Sequence, residues 1–246
     1  MFCLACVFYT SFPKTASLSH LDYFGLPRYI PIMERAPLKF IFFIGKGGSG
    51  KDTQANLLLE KLQDSIKLST GEIYRGARDC VGDFAKYHSV LEPYIANVDS
   101  GGYIPDEPIV KIVKEVLLEK TENGITTFLF TGFPRTVTQL NLVDDMFIEM
   151  SKDFEIIPHY IYYPVSDETT RERSKMRNDI AKASGLLPRD DDRPESVEKK
   201  LRTFHELTRP LIERLAIEDR LIVVNAEKTI PEIELETSTR LSKERV

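Results

Sequence analysis

The stretch Ile44-Gly45-Lys46-Gly47-Gly48-Ser49-Gly50-Lys51-Asp52-Thr53-Gln54 decides the reading of this chain. It follows the apolar run Lys39–Ile44 and opens the helical pattern Lys51–Leu62. Gly45, Gly50 and Lys51 fit the pattern G-x-x-x-x-G-K. Glycines let the backbone curl until successive N–H groups face one concavity, and the helix start adds its positive end. Lys51 can then reach the β- and γ-phosphates of a nucleotide. After the lysine such loops usually carry Ser or Thr, whose hydroxyl binds Mg²⁺. Here the residue is Asp52, with Thr53 next.

Outward from this loop, short β-branched and aromatic runs alternate with longer helical ones. The runs Lys39–Ile44, Ile66–Leu68, Thr126–Phe130, Ile156–Tyr163 and Leu221–Val224 read as strands. Lys51–Leu62, Asp106–Glu119, Val137–Met150, Asp167–Arg177, Pro194–Ile217 and Ile230–Leu241 read as helices. Near-continuous apolar strands call for burial on both faces, as in a parallel sheet. The expectation is an α/β fold: a doubly wound, parallel, five-stranded sheet with helices on both faces. Ligands in such folds sit at the carboxyl ends of the strands.

Composition narrows the function classes. With 246 residues the chain is long enough for a sizeable core, and 14 Phe and 10 Tyr argue against disorder. A net charge of −5 and no basic stripe argue against a nucleic-acid partner. No apolar run reaches the roughly 18–20 residues of a membrane span. Three cysteines cannot build a disulfide framework, which points to a reducing compartment, the cytoplasm. Residues 1–32 read as an extension with no helical period, dispensable or, less readily, a targeting segment. Met33 is a candidate start, which makes 33–246 the folded domain. Cys3 and Cys6 read as reduced thiols in that extension.

Further segments recur in an order that resembles adenylate kinase and its nucleoside monophosphate kinase relatives. Gly45 to Gln54 matches the family loop, and four more segments follow. They are Leu68-Ser69-Thr70-Gly71-Glu72 with Arg75, Gly101-Gly102-Tyr103-Ile104-Pro105-Asp106, Gly132-Phe133-Pro134-Arg135-Thr136 with Gln139, and Arg189 with Asp191 and Asp192 ahead of Glu195-Ser196-Val197. The resemblance implies the short-lid form of that kinase, with phosphoryl transfer from ATP to a nucleoside monophosphate. It implies ATP, AMP and ADP as partners, Mg²⁺ with ATP, and a monomer. By carry-over, Gly45, Gly48, Ser49, Gly50, Lys51, Asp52, Thr53 and Arg173 would hold ATP. Thr70, Arg75, Gly102, Ile104, Gly132, Arg135, Gln139 and Lys200 would hold AMP. Lys51, Arg135, Arg177 and Arg189 would serve the transfer itself. Lys200 stands where the family usually has arginine, so attraction is kept but the bidentate fork is lost.

The same resemblance sets the remaining expectations. Thr70 and Gln139 stand where adenine-directed members carry Thr and Gln, so AMP is the favoured acceptor. The acceptor-binding insert would span about 71–105 and a short lid about 178–190. No cysteine lies in that lid, so it has no ligands for structural zinc. Asp191 and Asp192 are expected to tie lid arginines. The family's D-G-F-P-R motif opens here with Thr131, a poorer partner for Mg²⁺ than a carboxylate. Two readings of Asp52 stay open. Either it takes over part of the metal's outer shell, or it points away and phosphates and water alone hold the ion. Two further alternatives stand beside the AMP reading: a kinase for another monophosphate such as UMP or CMP, or a nucleotide-binding protein with little catalysis, because Thr131 replaces the family Asp.

Overall fold

Strand β1 (Leu38–Ile44) shows how the sheet is built. Side chains alternate across a strand. Phe40, Phe42 and Ile44 therefore enter one core, and Ile41 and Phe43 enter another on the opposite face. Both faces are covered, which is why the run reads as almost wholly apolar. A computed structural model of the chain describes residues 36–185 and 193–243. The expectations for residues 1–32 and for Arg189, Asp191 and Asp192 fall outside the described residues.

With β2 (Ser65–Ser69), β3 (Thr127–Thr131), β4 (Ile156–Tyr162) and β5 (Leu221–Val223), β1 forms one sheet in the order β2-β3-β1-β4-β5. Every pairing is parallel, as expected from the sequence. Register places Phe40 beside Phe128 and Phe42 between Phe130 and Tyr160. Their rings stack with centroids 5.4, 4.9 and 4.7 Å apart. Truncating Phe42 to Ala would cost about 3–5 kcal/mol.

The helices are α1 (Lys51–Leu59), α2 (Thr70–Arg78), α3 (His88–Leu91), α4 (Ile95–Asp99), α5 (Asp106–Glu122), α6 (Val137–Met150), α7 (Asp167–Ala183), α8 (Pro194–Thr203), α9 (Arg209–Ile217) and α10 (Ile230–Lys243). Among the described residues none is long and apolar enough to cross a membrane.

Three differences from the sequence reading have physical causes. Helix α2 lacks a strong sequence signal, yet it buries Ile73, Tyr74 and Ala77 against the larger core. Helix α7 runs past Arg177 to Ala183, and Gly185, with φ of 69°, follows its end. The single helix expected over Pro194–Ile217 is interrupted by a π-helical turn, Phe204–Thr208, between α8 and α9. Pro210 has no N–H to give to a carbonyl four residues earlier. A turn of wider hydrogen bonding absorbs the gap, and such turns gather at functional sites.

Candidate active site

Four loops leave the carboxyl ends of β2, β3, β1 and β4, which are neighbours in the sheet. They bring most of the sequence-selected residues to one edge of the fold.

The loop after β1 is the phosphate loop. Gly48 and Gly50 take φ of 74° and 82°, the left-handed region that favours glycine. A Cβ on Gly45 would lie 2.6 Å from Ser49 Oγ and 3.1 Å from the Tyr163 carbonyl oxygen. Gly50 caps α1 with no side chain, so the first-turn N–H groups stay available to an anion. Ser49 Oγ is buried and makes no hydrogen bond. Lys51 folds back over the loop, its Nζ donating to the Lys46 carbonyl oxygen at 3.3 Å. It also pairs with Asp52 Oδ2 at 3.2 Å.

Arg173, on α7, joins this loop from the end of β4. Its guanidinium donates to the Gly48 carbonyl oxygen at 2.9 Å and to that of Ala226 at 3.2 Å. Arg177 lies one turn further along α7 and is exposed. Thr53 is exposed on the first turn of α1.

The acceptor side is built from the loops after β2 and β3. Thr70 Oγ1 donates to the Gly132 carbonyl oxygen at 2.8 Å. Arg135 curls back, with Nε donating to that same oxygen at 2.6 Å. Its guanidinium lies 4.6 Å from the centre of the Tyr103 ring, a cation–π contact. This curl requires glycine at Gly132, where φ is 74° and a Cβ would sit 2.6 Å from Arg135 Nη2. Arg75 leans over Gly71, where a Cβ would meet its Nη1 at 3.2 Å. Gly101 backs onto α8, with a Cβ position 3.5 Å from Lys200 Cγ, so Lys200 is brought beside Gly101. A Cβ on Gly102 would meet the Asn97 side-chain amide, which would have to move aside. Ile104 is buried in the larger core.

Gln139 is 2% exposed, and its amide is oriented by the protein. Oε1 accepts from the Arg135 backbone N–H at 2.7 Å, and Nε2 donates to Asp106 Oδ1 at 2.9 Å. A carboxylate only accepts and an N–H only donates, so the amide can sit one way round. The same Asp106 oxygen accepts from Thr136 Oγ1 at 2.9 Å.

Sequence reasoning missed several supports. Tyr103 and Asp106 lay within a recognised segment but were given no task. Lys46, a second lysine in the phosphate loop, was passed over. It is buried, donates to the Val165 carbonyl oxygen at 3.0 Å and pairs with Asp167. His205 Nε2 meets the same carboxylate, 3.0 Å from Oδ2. Burial pushes the Asp167 carboxyl up, but Lys46 and His205 outweigh it and hold its pKa below the usual carboxylate value. The π-helical turn serves both sides. It presents His205 to Asp167 and Thr208 to Arg135, whose carbonyl oxygen accepts from Thr208 Oγ1 at 2.8 Å. Its only sequence signal was Pro210 inside a helical pattern.

Asp52 does not stand alone. The Lys51 ammonium holds its carboxyl far below the usual carboxylate range, against the upward push of burial. The Thr131 hydroxyl and the Lys67 ammonium act in the same direction as Lys51. Thr131 is 1% exposed, and its Oγ1 forms no hydrogen bond of ordinary length and angle. Thr131 ends the strand against which α1, with Asp52 in its first turn, packs. Among the described residues no three His, Cys, Asp or Glu side chains cluster so as to hold a metal ion.

The adenylate kinase family model matches residues 43–219. An adenylate kinase of Deinococcus deserti is 28% identical over 82% of this chain and 95% of its own length. An adenylate kinase of a Jannaschia species is 32% identical over 70% of this chain and 83% of its own. A uridylate kinase of Schizosaccharomyces pombe is 30% identical over 76% and 89%.

Proposed function

The chain belongs to the adenylate kinase family and is a nucleoside monophosphate kinase, and from that premise we propose that it converts ATP and AMP into two ADP with Mg²⁺. The observation that carries the reading is the pairing of two cationic centres at one sheet edge. Lys51 lies over the loop after β1, and Arg135 lies in the loop after the adjacent β3.

Phosphoryl transfer asks a protein for positioning and charge neutralisation more than for covalent chemistry. A phosphate oxygen of the acceptor forms the new bond to the γ-phosphorus as the bond to the β–γ bridging oxygen breaks. The loop N–H groups and Lys51 hold the donor's phosphates and meet the charge left on the departing diphosphate. Ser49, Asp52 and Thr53 complete the donor side with Gly45, Gly48 and Gly50, and Arg173 flanks the base. Arg135 and Arg75 hold the acceptor's α-phosphate through planar forks. Arg177, with Arg189 outside the described residues, meets the group in flight, and Lys200 adds a point charge beside Gly101, in the segment that carries Gly102 and Ile104. Bound with ATP, Mg²⁺ supplies charge neutralisation on the phosphate oxygens.

AMP is the preferred acceptor in this reading. With one hydrogen on Asp106 and one lone pair on the Arg135 N–H, the Gln139 amide keeps one donor and one acceptor. An adenine edge requires that pair. Thr70 and Gly132 line the same pocket. The relative named a uridylate kinase favours a second reading, with a pyrimidine acceptor. Incubation with ADP and Mg²⁺ alone tests the first: ATP and AMP should accumulate in equal amounts. Neither appearing removes it. A coupled assay with AMP, UMP, CMP and GMP separates the two, with the highest kcat/KM for AMP expected.

A further inference from the structure

In most phosphate-loop enzymes a hydroxyl follows the loop lysine and an aspartate stands at the end of the neighbouring strand, and together they hold Mg²⁺. This chain carries both groups in exchanged positions. Asp52 follows Lys51, and Thr131 ends β3. Helix α1, which carries Asp52 in its first turn, packs against β3, which Thr131 ends. Resting on the kinase reading above, we infer that Asp52 is the carboxylate that holds Mg²⁺ of the metal–nucleotide complex, oriented by Thr131.

Three observations point this way. Thr131 Oγ1 is a buried polar atom with no hydrogen-bond partner, at the end of the strand against which the Asp52 helix packs. Such an atom is costly unless a ligand or water completes it. Lys51 supplies the positive charge that Asp52 faces, at 3.2 Å. When a nucleotide's phosphates draw Lys51 toward themselves, Asp52 is left beside them with like charge. Lys67 then still faces Asp52, and a cation between the two anions offsets the repulsion that remains. Finally, the Asp52 side chain is 54% exposed, open to a ligand, and a single carboxylate with phosphate oxygens and water is a common way to hold Mg²⁺.

The test measures binding, apart from turnover. Calorimetric titration of β,γ-methylene-ATP, with excess Mg²⁺ and with chelator, gives the factor by which the metal tightens nucleotide binding. Electron paramagnetic resonance of Mn²⁺ gives the metal's own affinity for the protein–nucleotide complex. In Asp52→Asn and Asp52→Gly the factor and the Mn²⁺ affinity should fall about tenfold or more. Metal-free nucleotide should bind these variants more tightly than wild type, because the repulsion is gone. Thr131→Val should show the same change at smaller size. The double variant Asp52→Gly/Thr131→Asp, which returns the carboxylate to the strand end, should recover the wild-type factor. An unchanged metal factor in Asp52→Asn, or no recovery in the double variant, overturns the inference while leaving the kinase reading in place. Wild-type protein that binds no nucleotide overturns both.

Discussion

The two sides of the site are furnished differently. On the acceptor side nearly every polar group already has a protein partner. Arg135 rests on Gly132 and Tyr103, and Gln139 is held between Asp106 and the Arg135 N–H. On the donor side, groups are left open. Helix α1 has no side-chain cap, and Ser49 Oγ and Thr131 Oγ1 are buried without hydrogen bonds. A preorganised pocket spends little on ordering when it binds, and it also supports the fold. An open phosphate loop contributes less to stability and more to binding, because its donors have no protein partner to give up when a ligand arrives. Lesions on the two sides should therefore differ in kind.

Lys51→Met should give the largest effect. Removing a donor aimed at developing charge costs about 10²–10³ in kcat, while stability falls only by the half-exposed Lys51–Asp52 pair, about 0–1 kcal/mol. A large drop in thermal stability would remove the contrast. Arg135→Lys comes next. The point charge cannot reproduce the contacts to Gly132 and Tyr103 together with a fork on phosphate. We expect roughly a hundredfold loss in kcat/KM for the acceptor, with donor KM little changed, and steady-state kinetics in both substrates would check it.

Asp106→Ala should act on both stability and recognition. It strips partners from Gln139 and Thr136, two buried polar side chains, at a cost of about 1–3 kcal/mol. Denaturant unfolding measures that cost. A rise in KM for AMP, with other bases relatively favoured, would show that the amide had lost its orientation. If stability falls and base preference stays, Asp106 supports only the fold.

The donor side has one firm anchor of its own, the Lys46–Asp167–His205 cluster. Asp167 titrates below its usual value in the folded chain. Its contribution is therefore complete above the unfolded pKa, near 4, and is lost as pH falls through the lower folded value. Melting temperature followed from pH 7 downward should show a shallower acid decline in Asp167→Asn than in wild type. Parallel curves would assign the anchor no electrostatic role. The smallest effect is expected for Ser49→Ala, which removes an unsatisfied buried hydroxyl. Stability should stay within about 0.5 kcal/mol of wild type or rise, with a modest weakening of nucleotide binding.

Much of this comparison was readable in the chain before folding. The glycines of the loop and the near-continuous apolar run Lys39–Ile44 carry local signals, since left-handed glycine and a strand buried on both faces are properties of a few adjacent residues, while the arginine positions came from the family resemblance. Helix α2 was not readable, because its stability comes from burying Ile73 and Tyr74 against distant strands. Tyr103 and Asp106 were visible as members of a motif but not as supports. Their partners, Arg135 and Gln139, lie about thirty residues away in sequence.

The sequence alone determined that this is a parallel α/β protein with a phosphate loop, because periodicity and loop glycine are encoded within a single turn or strand. Only the tertiary structure decided what surrounds that loop. Lys46 meets Asp167, the π-helical turn reaches both sides, and Asp52 comes beside Thr131, because the sheet order sets β3 and β4 on either side of β1. Hydrogen bonds and charges act over a few ångströms of space, and no pattern of neighbouring residues specifies which distant groups will share it.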